Sequence, residues 1–77
     1  MAKLELFGTA GCPYTQEMRE ALEWDRREFV EYNVEADPEA RRRMHALANT
    51  RTVPVLIEDE KVIEIGWRGH GCMVEID

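Results

Sequence analysis

The stretch Gly11-Cys12-Pro13-Tyr14-Thr15 decides the fold, because a short strand gives way to a helix there. Residues 3–7, Lys-Leu-Glu-Leu-Phe, alternate with the period of two that is typical of a strand. Residues 8–11, Gly-Thr-Ala-Gly, are typical of a turn. Pro13 suits the first position of a helix, since its missing N–H would have no intrahelical partner there. We therefore expect Cys12 to stand at the entrance of a helix.

This position makes Cys12 a candidate nucleophile. Unpaired N–H groups and the positive end of the helix dipole favour an anion at a helix entrance. A thiolate is stabilised there relative to the thiol, so its pKa is expected to fall below the free value of about 8.5. A buried cysteine can also be inert packing. The strand–turn–helix context and the Pro-Tyr that follows favour the nucleophile.

The rest of the chain contains recognisable helix and strand signals. The pattern predicts a helix over 13–26, a strand over 28–34, a second helix, and strands over 53–57 and 62–65. The second helix begins at Asp37-Pro38-Glu39, with Asp37 as the N-cap, and is expected to stop at Asn49. Arg41, Arg42 and Arg43 on this helix are interpreted as a solvated face.

The order of these elements predicts an α/β fold of the form β-α-β-α-β-β. The first two strands are joined by a helix and should pair in parallel, with a right-handed crossover. The last two are joined by a four-residue charged turn and should form a hairpin. A four-stranded mixed sheet flanked by helices follows. Residues 66–77 are too few for a full-length helix and its connection, so we expect a truncated C-terminal helix. Residues 1–77 form a single domain.

Composition excludes several classes of partner. Sixteen acidic against ten basic residues give a net charge of −6, which disfavours nucleic acid and anionic membranes. No run approaches the roughly 20 apolar residues of a membrane span, and the N-terminus lacks the apolar region of a signal peptide. Two cysteines are too few for a secreted disulfide scaffold. These features predict a cytoplasmic protein in a reducing compartment.

With Cys12-Pro13-Tyr14-Thr15 after the first strand and Thr52-Val53-Pro54 before the third, the chain resembles a glutaredoxin of the thioredoxin fold. The usual motif is Cys-Pro-Tyr-Cys, so Thr15 makes this the single-thiol variant. The Gly-Trp-x-Gly stretch from Gly66, followed by a late cysteine, is similar to a small bacterial group of glutaredoxin-like proteins. Some members of that group carry selenocysteine at the position of Cys12.

The resemblance implies further site residues. It implies that Pro54 is cis and faces Cys12, and that the backbone of Val53 pairs with glutathione or a substrate peptide. Tyr14 is expected to flank the cysteine and shape the groove. Thr52 and Arg51 are expected to contribute to glutathione binding, Arg51 by pairing with a carboxylate of glutathione. Gly66 and Trp67 are also expected to contribute to the binding of substrate or glutathione. Their segment replaces the Gly-Gly and acidic residues of ordinary glutaredoxins, and the lysine common before the active-site loop is absent. These departures weaken the expected glutathione site. Trp67 is either an aromatic wall beside the groove or a hydrophobic cap on the sheet.

Two residues decide how a mixed disulfide on Cys12 is resolved. Thr15 can donate a hydrogen bond to the Cys12 thiolate but cannot form a disulfide within the motif. Cys72 is a candidate resolving thiol, which requires its Cα within about 7 Å of that of Cys12. The alternative for Cys72 is a thiol without a partner, and the sequence leaves this choice open.

The expected function is that of a thiol–disulfide oxidoreductase that transfers electrons in cell redox homeostasis. Its expected partners are protein disulfides or glutathionylated proteins, with glutathione or a thioredoxin-reductase-type donor as reductant. Glutathione is expected as co-substrate, no metal is expected, and the protein is expected to be a monomer. The alternatives are a dimeric iron–sulfur cluster carrier, a redox-sensing adaptor without turnover, or a peroxide-reducing thiol enzyme. His70, Cys72 and Cys12 are an incomplete ligand set for a metal.

Overall fold

The computed structural model describes residues 3–74, which form two helices and six strands. The helices are α1 (Pro13–Trp24) and α2 (Pro38–Ala48). The strands are β1 (Leu4–Gly8), β2 (Val30–Asn33), β3 (Thr52–Val53), β4 (Val55–Glu58), β5 (Lys61–Ile65) and β6 (Cys72–Met73).

A four-stranded mixed sheet with the order β2-β1-β4-β5 forms the centre of the molecule. β1 pairs in parallel with β2 and antiparallel with β4, and β4 forms an antiparallel hairpin with β5. The fold class expected from the sequence is confirmed, as are the parallel pair and the hairpin. The α1 helix ends two residues before the predicted bound, because Arg26 adopts a positive φ of 57° that a helix cannot continue through.

The third predicted strand is divided in the structure, and the tail forms a strand that the sequence pattern did not predict. The bond between Val53 and Pro54 is cis and separates β3 from β4. The tail strand β6 pairs antiparallel with β3 in a separate two-stranded sheet. The predicted remnant of a C-terminal helix is wrong for the described part of the tail, which up to Val74 contains a turn and β6 instead.

Two apolar clusters cover the two faces of the sheet. On one face α1 contributes Met18 and Leu22, which pack with Leu4 and Leu6 of β1. The other cluster joins side chains of α2 to the opposite face of β1 and includes both the motif cysteine and Val74 of the tail. Its buried members are Phe7, Cys12, Val34, Ala40, Met44, Val53, Val55, Ile57 and Val74. The second cluster therefore ties Cys12 and β3 to the core.

The charged face expected on α2 is only partly solvated. Glu5 of β1 is 1% exposed, and its carboxylate accepts two hydrogen bonds from the Arg43 guanidinium, at 2.7 and 3.0 Å. The Tyr32 hydroxyl donates a third bond at 3.0 Å. Arg43 also lies over the Phe7 ring, 5.6 Å from its centroid. The interpretation of Arg43 as a solvated residue is wrong, because a buried carboxylate needs a charged partner.

Candidate active site at the start of the first helix

Cys12 is the N-cap residue of α1, as the sequence predicts. Its backbone is extended (φ −91°, ψ 117°), and its carbonyl accepts the first helical bond from the N–H of Gln16 at 3.2 Å. Pro13 occupies the first turn of the helix, and Cys12 itself is only 3% exposed. The end of β1 and the turn that follows it thus deliver one sulfur atom to the entrance of a helix.

Both helices begin with an N-cap residue followed by a proline. Comparison of the two N-caps indicates which form of the Cys12 side chain the helix start can stabilise. At α2 the carboxylate of Asp37, which also precedes a proline, accepts hydrogen bonds from the N–H groups of Glu39 and Ala40, both at 3.1 Å. At α1 no side chain among residues 3–74 caps the helix, and its first turn contains no acidic residue. A thiolate on Cys12 would therefore occupy the position that a carboxylate occupies in α2. Free N–H groups and the helix dipole stabilise an anion there.

Cys72 forms a disulfide bond with Cys12 in this structure. The two residues are 60 positions apart in the sequence, and their Cα atoms are separated by 6.0 Å. The distance required of a resolving thiol is therefore met. The half-buried Cys72 belongs to β6, so the second sulfur arrives on the tail strand rather than on α1.

A tight turn directs the tail back toward the site. The N–H of Trp67 donates to the carbonyl of His70 at 2.6 Å, and the N–H of His70 donates to the carbonyl of Trp67 at 2.9 Å. Arg68 and Gly69 between them both have positive φ, of 52° and 82°, which is the conformation of a type I′ hairpin turn. The ring of His70 then stacks on that of Tyr14 in α1, with centroids 5.4 Å apart.

Gly66 fixes the start of this turn. Its φ is +84°, and a Cβ added to it would lie 2.8 Å from the carbonyl oxygen of His70. Its N–H donates to the carbonyl oxygen of Pro54 at 2.7 Å. The structure thus shows Gly66 holding the tail against the cis proline, while its predicted contact with glutathione stays a prediction.

The segment before Pro54 lies beside the cysteines through its pairing with the tail. Val53 is fully buried and is the register partner of Cys72, and Thr52 is the partner of Met73. The carbonyl of Arg51 accepts a bond from the N–H of Val74 at 2.8 Å. The backbone of these predicted binding residues is thus engaged by the chain's own tail in the disulfide form.

The sequence did not decide what the side chains of Thr15 and Trp67 contact. Thr15 is completely buried, and its hydroxyl accepts a bond from the N–H of Thr9 at 3.5 Å. Trp67 packs against the α1-side cluster rather than the cluster that contains Cys12. This packing supports the hydrophobic cap for Trp67, and its part in substrate binding stays a prediction.

A shallow cavity of about 240 Å³ lies directly beside the disulfide. It is lined by Thr9, Gly11, Cys12, Glu35, Cys72 and Met73. Glu35 and Met73 were not anticipated, because neither follows a motif and they meet only after the tail has folded back. A larger cavity of about 350 Å³ opens near Lys3 and Phe29, at the opposite end of β1. The smaller cavity therefore borders both cysteines.

Within residues 3–74, no group of three or more histidine, cysteine, aspartate or glutamate side chains is arranged to hold a metal ion. In the same part of the chain, neither helix is long and apolar enough to cross a membrane.

Comparison with known proteins identifies the family. A model of the glutaredoxin family matches residues 4–63, which include all of the fold from β1 into β5. The chain belongs to the glutaredoxin family. A curated relative, the probable glutaredoxin slr1562 of Synechocystis, is 33% identical over 63 residues. The match covers 80% of this chain but only 58% of that relative's length.

Solved structures show the same fold. A point variant of the thioredoxin-like protein BC3987 superimposes with a TM-score of 0.79 at 25% identity, over 88% of this chain and 86% of the other. A glutaredoxin from Archaeoglobus fulgidus superimposes with a TM-score of 0.73 at 20% identity, over 88% and 78% of the two chains. The family model and the curated relative thus show the glutaredoxin family, and the solved structures show the fold.

Proposed function

We propose that this glutaredoxin reduces disulfides through a pair of cysteines, with Cys12 as the nucleophile and Cys72 as the resolving thiol. The observation that carries the proposal is the disulfide between the N-cap of α1 and the tail strand β6. One sulfur stands where an anion is stabilised, and the other is held within bonding distance by a strand, a hairpin turn and a ring stack. Such an arrangement suits a two-step exchange.

In the first step the Cys12 thiolate attacks one sulfur of the substrate disulfide. A bond forms between Cys12 and that sulfur, the substrate S–S bond breaks, and the other substrate sulfur leaves as a thiolate. In the second step the Cys72 thiolate attacks the Cys12 sulfur and releases the remaining substrate sulfur as a thiolate. The substrate gains two electrons, and the two cysteines of the protein become a disulfide. An external thiol donor, glutathione or a reductase, returns the pair to the reduced form.

Thr15 explains why the tail is needed. A hydroxyl cannot attack a mixed disulfide, so the motif itself has no resolving group. Glutathione could clear the mixed disulfide from solution, with Tyr14 and Arg51 as predicted contacts. The tail strand, however, already pairs with the Val53 backbone that such a ligand would use. This competition favours resolution by Cys72 over resolution by glutathione. A bridge that opens and closes in turnover fits the reducing, cytoplasmic setting expected from the sequence.

The test is reduction of a model protein disulfide by three forms of the protein, with a small dithiol as the terminal donor. Wild type should turn over, and Cys12→Ser should lose all turnover. In a single turnover of the reduced protein without the dithiol, Cys72→Ser, which makes the same chemical change at the other sulfur, should form a mixed disulfide on Cys12 and release product only when an external thiol is then added. Turnover by Cys12→Ser above the rate with the dithiol alone would refute the proposal. Unimpaired single-turnover release by Cys72→Ser would refute the role of Cys72.

A further inference from the structure

The tail pairs with one edge of β3 in an extended conformation. Cys72 is the register partner of Val53, and the N–H of Val74 continues the pairing by donating to Arg51. The Val74 side chain is 5% exposed and packs into the cluster that contains Cys12 and Val53. The pairing thus presents a cysteine to Cys12 and an aliphatic side chain to the core at the same time.

Only a small residue fits immediately before this cysteine. A Cβ added to Gly71 would lie 2.5 Å from Cγ2 of Thr52 and 2.6 Å from the carbonyl oxygen of Val53. The second contact is with backbone, which cannot move aside as the end of a flexible side chain could. The residue after the cysteine is not restricted in this way, because Met73 is 74% exposed. The docked strand therefore has four distinct positions. The first admits only glycine, the second is the cysteine, the third admits any side chain, and the fourth requires an apolar one.

The resemblance to glutaredoxins already implies that the Val53 backbone pairs with a substrate peptide. We propose that this edge of β3 selects an extended target peptide of the form Gly-Cys-x-Val, and that the tail 71–74 occupies it in cis as a substitute for the target. The inference rests on the proposed function and names its substrate class. The small residue before the target cysteine is required by the backbone of Val53, and a β-branched aliphatic residue two positions after it fills the place of Val74.

The tail and the target must then exchange places during the reaction. The target strand pairs with β3 while Cys12 holds its sulfur in a mixed disulfide, and the tail is displaced. When the tail pairs again, the Cys72 thiolate attacks the Cys12 sulfur, and the target sulfur leaves as a thiolate. The same event that forms the Cys12–Cys72 bond removes the target from the β3 edge, so electron transfer and product release are coupled.

The test uses the full chain carrying Cys72→Ser and short peptides whose cysteine forms a mixed disulfide with thionitrobenzoate. Attack by Cys12 on the peptide sulfur releases the coloured thionitrobenzoate thiolate, which reports the rate. A peptide containing Gly-Cys-Met-Val should react about tenfold faster than one containing Val-Cys-Met-Val, because the added side chain overpacks the site. A peptide with Gly-Cys-Lys-Val is the matched control and should react within about twofold of the first, because the changed residue is exposed.

A second variant tests the competition directly. Adding Gly71→Val to Cys72→Ser weakens the docking of the tail, so the Gly-Cys-Met-Val peptide should react several-fold faster than with Cys72→Ser alone. Equal rates for all three peptides, or no acceleration by Gly71→Val, would overturn the inference while leaving the proposed function intact. No release of thionitrobenzoate with any peptide, nor with the small symmetric reagent from which it derives, would instead overturn the proposed function.

Discussion

Val53 and Cys72 are register partners in the short antiparallel pair of β3 and β6, so the residue before the cis proline is bound to the strand that carries the second sulfur. The disulfide and this pairing hold the tail from two sides. Val74 adds a third attachment, since it is buried in the α2-side cluster. The redox state of the cysteines is therefore linked to the position of residues 71–74 of the tail.

Reduction should lower the stability of the fold. The bridge closes a loop with a sequence separation of 60 residues, and cross-linking a loop of that length stabilises the folded state by about 4 kcal/mol in the chain-entropy model. Adding a dithiol reductant should therefore lower the melting temperature of wild type by more than about 10 °C. Cys72→Ser is the control and should melt at the same temperature with and without reductant. An unchanged wild-type transition would show that the bridge does not form in solution.

The two cysteines should differ in reactivity once they are reduced. Cys12 stands at the uncapped start of α1, where a thiolate is stabilised, while Cys72 lies in a strand without such a field. A limiting amount of an alkylating reagent at neutral pH should label Cys12 several-fold faster than Cys72, as measured by peptide mapping. Denatured protein provides the baseline, in which the two rates should converge. Faster labelling of Cys72 in the folded protein would contradict the assignment of the nucleophile.

The buried ion pair between Glu5 and Arg43 should make stability depend on pH. Hydrogen bonds from Arg43 hold the pKa of Glu5 below its usual value of 4.5, against the opposing effect of burial. A lowered pKa stabilises the fold at pH values above 4.5, and this contribution is lost as the pH falls through the folded-state pKa. Glu5→Gln should cost about 2 kcal/mol at pH 7. Urea unfolding at pH 7 and at pH 3 should show this difference shrinking at the lower pH.

One outcome would contradict this account of Glu5. A difference between wild type and Glu5→Gln that is constant from pH 7 to pH 3 would show that packing rather than charge is lost. The exposed Glu23 on α1 offers a matched control, and Glu23→Gln should change stability by less than about 0.5 kcal/mol at either pH.

Gly66 should be the least replaceable position of the tail turn. An alanine there would require a positive φ and would place its Cβ 2.8 Å from the His70 carbonyl oxygen. Gly66→Ala should therefore loosen the tail and slow closure of the Cys12–Cys72 bond by about tenfold or more. Gly69→Asn is the control, because Gly69 also has a positive φ but has open space around it and asparagine tolerates that conformation. The rate of closure is measured by quenching samples at intervals and determining their mass. Equal rates for the two variants would show that the turn does not position Cys72.

Local signals in the sequence were enough to predict the framework. Asp37-Pro38 begins α2 and Asn49 ends it in the left-handed conformation, as the capping pattern requires. Pro13 in the same way places Cys12 at the start of α1. These features depend on residues within a few positions of one another, so a sequence pattern can carry them.

Features that depend on residues far apart in the sequence could not be predicted from such local patterns. β6 is two residues long and forms only because β3, about 20 positions earlier, leaves an edge unpaired. The burial of Glu5 depends on Arg43, which is 38 positions away. The distance between Cys12 and Cys72 depends on the hairpin at Arg68-Gly69, which redirects the tail. The sequence could name Cys72 as a candidate, but only the folded chain brings it to Cys12.

The most direct measurement is the intact mass of fully reduced wild type after exposure to oxidised glutathione, followed by mapping of the peptides that contain Cys12 and Cys72. The account predicts a product lighter by two hydrogens, with the two cysteines joined to each other and a glutathione adduct on Cys12 present only in passing. A lasting adduct of one glutathione on Cys12, with Cys72 still a free thiol, would contradict the two-cysteine mechanism.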